Sequence, residues 1–271
     1  MSLATILALI EPKHGEATLR LSALVADALA APIDVIAVRP DPRNAVPTVG
    51  IGFTPDFVEQ VMAEAEHAGI QQAKASRRIF EAAKLGEKAE FFEVVGSEES
   101  VIAEQGKIRG MTVLPCGRAG DGETEAISVA LFETGRPVLI APSFPVASVA
   151  TRVAVFWKES REAAKAVWSA LPLLRKAEEV RVFTVGDDAG PFDSQQRLLR
   201  GLERAGVAAE GTLINPGGEP DGAKLIGAAA DMNADLVVMG AYSYNRLREL
   251  VFGGVTSGIL DGLARPVFMA H

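Results

Sequence analysis

Short apolar runs rich in β-branched residues alternate with Ala- and Leu-rich stretches of helical spacing, and the alternation is written twice. Ile6-Leu7-Ala8-Leu9-Ile10 parallels Val153-Ala154-Val155-Phe156-Trp157, and Ile33-Asp34-Val35-Ile36-Ala37-Val38 parallels Val180-Arg181-Val182-Phe183-Thr184-Val185. Ala89–Val95 matches Ala208–Ile214, and Met111-Thr112-Val113-Leu114-Pro115 matches Asp235–Gly240. Each half ends on Arg-Pro-Val, in Arg136–Ile140 and Arg265–Met269, the sharpest sign of duplication. Continuous apolar runs of this length suit strands covered on both faces of a parallel sheet. Between them the pattern predicts helices over about 16–30 and 55–84 in the first half, and about 160–175 and 192–205 in the second.

Strand–helix alternation with right-handed crossovers gives an α/β fold, here two tandem doubly wound parallel five-stranded sheets of Rossmann-like type. The expected domains are 1–145 and 150–271. Residues 141–150, Ala-Pro-Ser-Phe-Pro-Val-Ala-Ser-Val-Ala, form the linker, where two prolines break regular structure. On this reading one unbroken sheet would count against duplication.

The chain has 271 residues with 48% hydrophobic and 23% charged content, enough apolar material for real cores. Its net charge of −8, without a basic stripe, argues against nucleic acid as partner. Cys116 is the one cysteine, so no intrachain disulfide forms and a reducing, cytoplasmic setting is expected. The apolar start lacks a basic leader and runs into Glu11-Pro12-Lys13, which reads as a strand rather than a signal peptide. No run approaches the ~18 apolar residues of a membrane span.

The chemistry-bearing stretch follows the fourth strand of the second half, Gly240-Ala241-Tyr242-Ser243-Tyr244-Asn245-Arg246-Leu247-Arg248-Glu249-Leu250-Val251-Phe252-Gly253-Gly254-Val255-Thr256. Gly240 ends a buried strand at the carboxyl edge, where ligands of such sheets gather. Gly253-Gly254 opens a helix whose first N–H groups lack internal partners and point at an anion. Arg246 and Thr256 bring a cation and a hydroxyl to the same place. In the first half Pro115 stands where Gly240 does, and the loop that follows is shorter and acidic at its end. At most one working site, in the second half, is therefore expected.

These residues resemble the universal stress protein family, well over 151–271 and through the repeat over 3–142. ATP-binding members carry Gly-x2-Gly-x9-Gly-Ser/Thr after the fourth strand. Gly240 and Gly253 fit that motif, whereas Ser243 replaces the middle glycine and Gly254 takes the Ser/Thr place. Relatives end the first strand on an acidic residue, and here Lys158 stands there, followed by Glu159 and Ser160. The resemblance implies an adenine-nucleotide site, for ATP with magnesium, with the adenine near Trp157 and Val185. It also implies pairing of the two terminal strands as an intrachain pseudo-dimer, with a dimer of chains left open. The function implied is a stress-response binding module without a general base, not an enzyme, with slow ATP hydrolysis left open. The alternative is a nucleotide-free interaction protein, favoured by Ser243, Lys158 and Glu159. An ATP-pyrophosphatase would need Ser-Gly-Gly where Lys158-Glu159-Ser160 stands.

Other motifs fail. Gly217–Leu225 places Lys224 one residue late for a phosphate loop and no hydroxyl follows, and Gly50–Pro55 lacks the third glycine of a dinucleotide fingerprint. His14, His67 and His271 are scattered and, with one cysteine, give no metal spacing. His67 reads as part of a solvated helix face, and Cys116 as an inert loop thiol. Trp157 has packing as its competing role. The long segment Arg39–Pro55 either covers a cleft or simply joins two elements.

Overall fold

The computed structural model describes residues 5–46, 54–116, 123–187, 189–218, 221–241 and 265–271. In the first half the order is β1 (Ile6–Leu9), α1 (Gly15–Leu29), β2 (Ile33–Arg39), a 3₁₀ turn (Pro42–Ala45), α2 (Pro55–Ala83), a second 3₁₀ turn (Gly86–Lys88), β3 (Ala89–Val95), α3 (Glu98–Lys107), β4 (Met111–Pro115), α4 (Glu123–Glu133) and β5 (Val138–Ala141). The second half runs β6 (Arg152–Phe156), α5 (Arg161–Leu174), β7 (Glu179–Val185), α6 (Ala189–Arg204), β8 (Glu210–Ile214), α7 (Asp221–Asp231), β9 (Leu236–Gly240) and β10 (Val267–Ala270).

Strand order is β3-β2-β1-β4-β5-β10-β9-β6-β7-β8. Pairing within each half is parallel, and each half repeats the same order about its own first strand. The halves meet at β5 and β10, which pair antiparallel with Leu139 opposite Phe268. The terminal strands pair, as the resemblance implies, but the join fuses two five-stranded sheets into one of ten strands. Continuity does not weigh against duplication, because pairing of two edge strands necessarily removes the break between sheets. The antiparallel seam is what marks the boundary between the halves, since within a half every neighbour is parallel.

Side chains alternate across this sheet into two apolar layers. Val153 and Val155 join Leu21 and Val25 of α1, Val167 and Leu173 of α5, and Leu198 and Leu202 of α6. Ala154 and Phe156 join Ile102 of α3, Ile127 and Leu131 of α4, and Leu225 of α7. Both layers run through the two halves, so the seam is buried: Val138, Leu139 and Phe268 have no exposed surface. Among the described residues no helix is long and apolar enough to cross a membrane.

Because β5 and β10 run oppositely, β5 ends on the edge where β6 begins. The linker therefore stays on one edge and passes three strand spacings, about 14 Å. It is held from both halves. Arg20 of α1 donates to the carbonyls of Val146 and Ala147 at 3.2 and 3.4 Å. Asp235, just before β9, accepts from the Ser148 hydroxyl at 2.7 Å and from the N–H groups of Thr151 and Arg152 at 2.9 Å each.

Candidate functional site

In each half the sheet order reverses beside its first strand, leaving a crevice at the carboxyl ends between β1 and β4 or between β6 and β9. Since the halves run oppositely, the two crevices lie on opposite edges of the sheet.

The second crevice is built by register. Phe156 of β6 lies opposite Phe183 of β7 and Met239 of β9. One position further out, Trp157, Thr184 and Gly240 are level, and beyond them Lys158, Val185 and Ala241. The outer level is tied down by backbone bonds, from Trp157 N–H to the Phe183 carbonyl at 2.8 Å and from Ala241 N–H to the Ala270 carbonyl at 2.9 Å. Three of the residues picked from sequence, Lys158, Val185 and Gly240, thus meet at one edge. Lys158 is exposed, Val185 half-buried and Gly240 buried.

Trp157 does not join them. Its parity places the ring with Val153 and Val155 in the α1/α5/α6 layer, where it is 7% exposed. Its indole N–H donates to Ser194 Oγ of α6 at 2.9 Å. A buried ring with its only donor occupied is a packing residue, and stacking on an adenine is not available to it here. Ser243, Arg246, Gly253, Gly254 and Thr256 lie outside the described residues.

The charges around Lys158 follow from α5, in whose first turn the N–H groups of Glu162 and Ala163 are already engaged. Ser160 caps the helix, its Oγ accepting from Ala163 N–H at 3.1 Å. The Glu162 carboxyl is held below its ordinary value, chiefly because its own backbone N–H donates to it, against the opposing effect of burial. Glu159 is clasped by Arg197 of α6 at 2.9 Å. Next to these, Gln195 is 1% exposed and its amide reaches the carbonyls of Val182 and Thr212 and the Thr184 hydroxyl at 3.0–3.1 Å. Gly211 gives it room, since a Cβ there would come within 2.5 Å of the Gln195 oxygen. Ser194 and Gln195 thereby fix α6 against β6–β8. The sequence signal for them was their place four and three residues before Leu198 on the buried face of α6.

The first crevice is furnished differently. Pro115 pairs with Ala141 as Gly240 pairs with Ala270, which makes Pro115 the counterpart of Gly240 and Cys116 that of Ala241. By the same register Glu11 is the counterpart of Lys158. Its carboxylate accepts from His14 N–H at 3.1 Å and lies 2.9 Å from His14 Nδ1, at the start of α1. Cys116 is buried. The loop 117–122 lies outside the described residues. Elsewhere in this half an open cleft of about 830 Å³ runs between the first 3₁₀ turn and the first half of α2, lined by Asp41, Arg43, Val58, Glu59, Met62 and Glu66 among others. Among the described residues no group of His, Cys, Asp or Glu is arranged to hold a metal ion.

No protein-family model matches the chain, and no curated protein does. Solved structures do. A universal stress protein from Archaeoglobus fulgidus DSM 4304 superposes with a TM-score of 0.67 at 18% identity, covering 98% of this chain and 96% of that one. A functionally unknown protein from Pseudomonas aeruginosa PAO1 superposes with a TM-score of 0.50 at 13% identity, covering 98% of this chain and 92% of that one. These likenesses show a shared fold: the chain has the Rossmann-like α/β fold of the A. fulgidus universal stress protein along nearly its whole length.

Proposed function

We propose that the chain is a tandem universal stress protein of two domains, 1–145 and 150–271, acting as a cytoplasmic binding module rather than an enzyme. The second domain binds a nucleotide at its carboxyl edge. ATP with magnesium is the ligand implied by the resemblance and the first to test. Its phosphates lie against Gly240, Ser243, Arg246, Gly253, Gly254 and Thr256, and its base lies toward Lys158 and Val185.

The supporting observation is the difference between the two crevices. In the second, a glycine ends the strand at the point of reversal, with an exposed lysine level with the residue after it. In the first, the same places hold Pro115, buried Cys116 and a Glu11 carboxylate already engaged at the start of α1. The second thus carries a lysine and a strand-ending glycine where the first carries a carboxylate and a proline, the combination that suits an anionic ligand.

Thermal unfolding of the whole chain with magnesium and millimolar ATP or GTP tests this. A ligand at about 100 times its dissociation constant adds about 2.7 kcal/mol, a rise of several degrees. Gly253→Val should abolish the rise. Absence of a rise with either nucleotide would favour the second reading, a nucleotide-free protein acting through partner contacts, which the engaged N–H groups of Glu162 and Ala163 at the start of α5 support.

A further inference from the structure

Helix α2 outruns the sheet that supports it. Its buried residues are Gly69, Ala73 and Ser76, all in the second half of the helix. Gly69 passes the end of β2, where a Cβ would come within 2.9 Å of Arg39 Cγ. Residues 55–68, about 20 Å of helix, thus project past the carboxyl edge of the first half. Val58, Val61, Met62 and Ala65 recur at helical spacing along this stretch and are only half-buried. Asp56, Glu59, Glu64 and Glu66 stand around them, and the stretch holds no lysine or arginine. In the second half α6 has no such overhang, since it buries Ser194 and Gln195 in its second turn.

The second half instead leaves a groove between α5 and α6. Trp168 of α5 is 46% exposed, and its ring edge rests on Gly201 of α6, 3.5 Å from where a Cβ would stand. Cations surround it. Arg161, two turns earlier on α5, has 93% of its side chain exposed, and Arg200 and Arg204 are exposed beside Gly201. The exposed acids of α6 are Asp193, two turns away from Gly201, and Glu203, on the opposite flank. We propose that the overhang of α2 docks into the Trp168 groove of a second copy of this chain. The two surfaces match in character, an apolar stripe for an exposed indole and acids for arginines. Tryptophan and arginine are the residues that most often anchor interfaces, and an amphipathic helix lying in a groove is a recurrent mode of recognition. Both elements lie on one side of the sheet, since Ile79 and Phe80 of α2 pack into the same apolar layer as α5 and α6. A two-fold axis in the plane of that face brings each overhang onto the other copy's groove, so the association closes at two.

The test is sedimentation velocity of the whole chain from about 1 to about 100 µM, a range that covers the weaker interfaces of ordinary size. The natural chain should move from one copy to two. Its tryptophan emission should shift to the blue as it does so, because Trp168 becomes covered while Trp157, the other tryptophan, is already buried. Arg200→Glu with Arg204→Glu should weaken association at least about tenfold, and so should Glu59→Lys with Glu64→Lys. The second pair lowers the net charge of −8 and would strengthen any non-specific association, so weakening by it reports the local match. A chain carrying all four reversals should regain association. All four sites are exposed, so equal urea midpoints serve as the folding control. A pair of copies that forms without the emission shift, that survives either reversal, or that the four reversals together do not restore would overturn the inference. A chain that stays single throughout would leave the groove to an acidic segment of another protein and overturn it as well.

Discussion

Replacing Asp235 by alanine should loosen the linker and lower stability by about 2–3 kcal/mol, and the figure can be built from its three donors. The partly buried Thr151 N–H, 2.9 Å from the carboxylate, loses a charge-assisted bond of about 1.5–2.5 kcal/mol. The Ser148 hydroxyl and Arg152 N–H are exposed and recover water, adding about 0.5 kcal/mol between them. The assay is urea unfolding followed by far-UV circular dichroism. With a slope of about 3 kcal/mol per molar, the midpoint should fall by about 0.7–1 M. Asp235→Asn keeps one acceptor oxygen without the charge and should lose roughly half as much. Exposed Asp231, at the end of α7, is the matched control and should leave the midpoint unmoved when changed to alanine. A drop of less than about 0.2 M in Asp235→Ala would show that the linker is held by the sheet alone and refute the clamp.

Two other side chains yield predictions in the same assay. Thr112 of β4 has no exposed surface, and its hydroxyl has no hydrogen-bond partner among the described residues; its counterpart in the second half is Val237. Thr112→Val should therefore raise stability by about 1 kcal/mol, and a loss of that size would reveal a partner for the hydroxyl. Ser194→Ala should cost about 1–2 kcal/mol by leaving the buried Trp157 N–H unmatched, with a change in tryptophan emission; an unchanged midpoint would mean the N–H finds another acceptor.

Most of the fold was legible because the strands are buried on both faces. Runs such as Ile33–Val38 and Val180–Val185 need no partner information to be read, and the observed strands Ile33–Arg39 and Glu179–Val185 differ by one residue at an end. The helix over 55–84 was equally clear, since Thr54 and Pro55 mark its start, and Thr54 Oγ1 accepts from Phe57 N–H at 3.3 Å. The orientation of Trp157 was readable by counting by twos from Val153, which puts it in the same layer as Val155 and gives it the packing role that competes with stacking on a base. Asp235 was not readable, because its donors lie more than eighty residues earlier and are backbone groups of a linker without periodicity. Nor was the role of Ser194 and Gln195, which depends on α6 lying against β7 and β8 at a glycine, Gly211.

The differences between the copies fall where their surroundings differ. Gly110 and Asp235 occupy equivalent positions before the fourth strand, each with its N–H bonded back to the residue preceding or opening the first strand, Thr5 or Arg152, at 2.9 Å. Nothing in the described structure arrives at Thr5 as the linker arrives at Thr151, and only the second copy carries a carboxylate there. The buried seam shows the opposite behaviour: Val138-Leu139-Ile140 faces Met269-Phe268-Val267 as apolar against apolar.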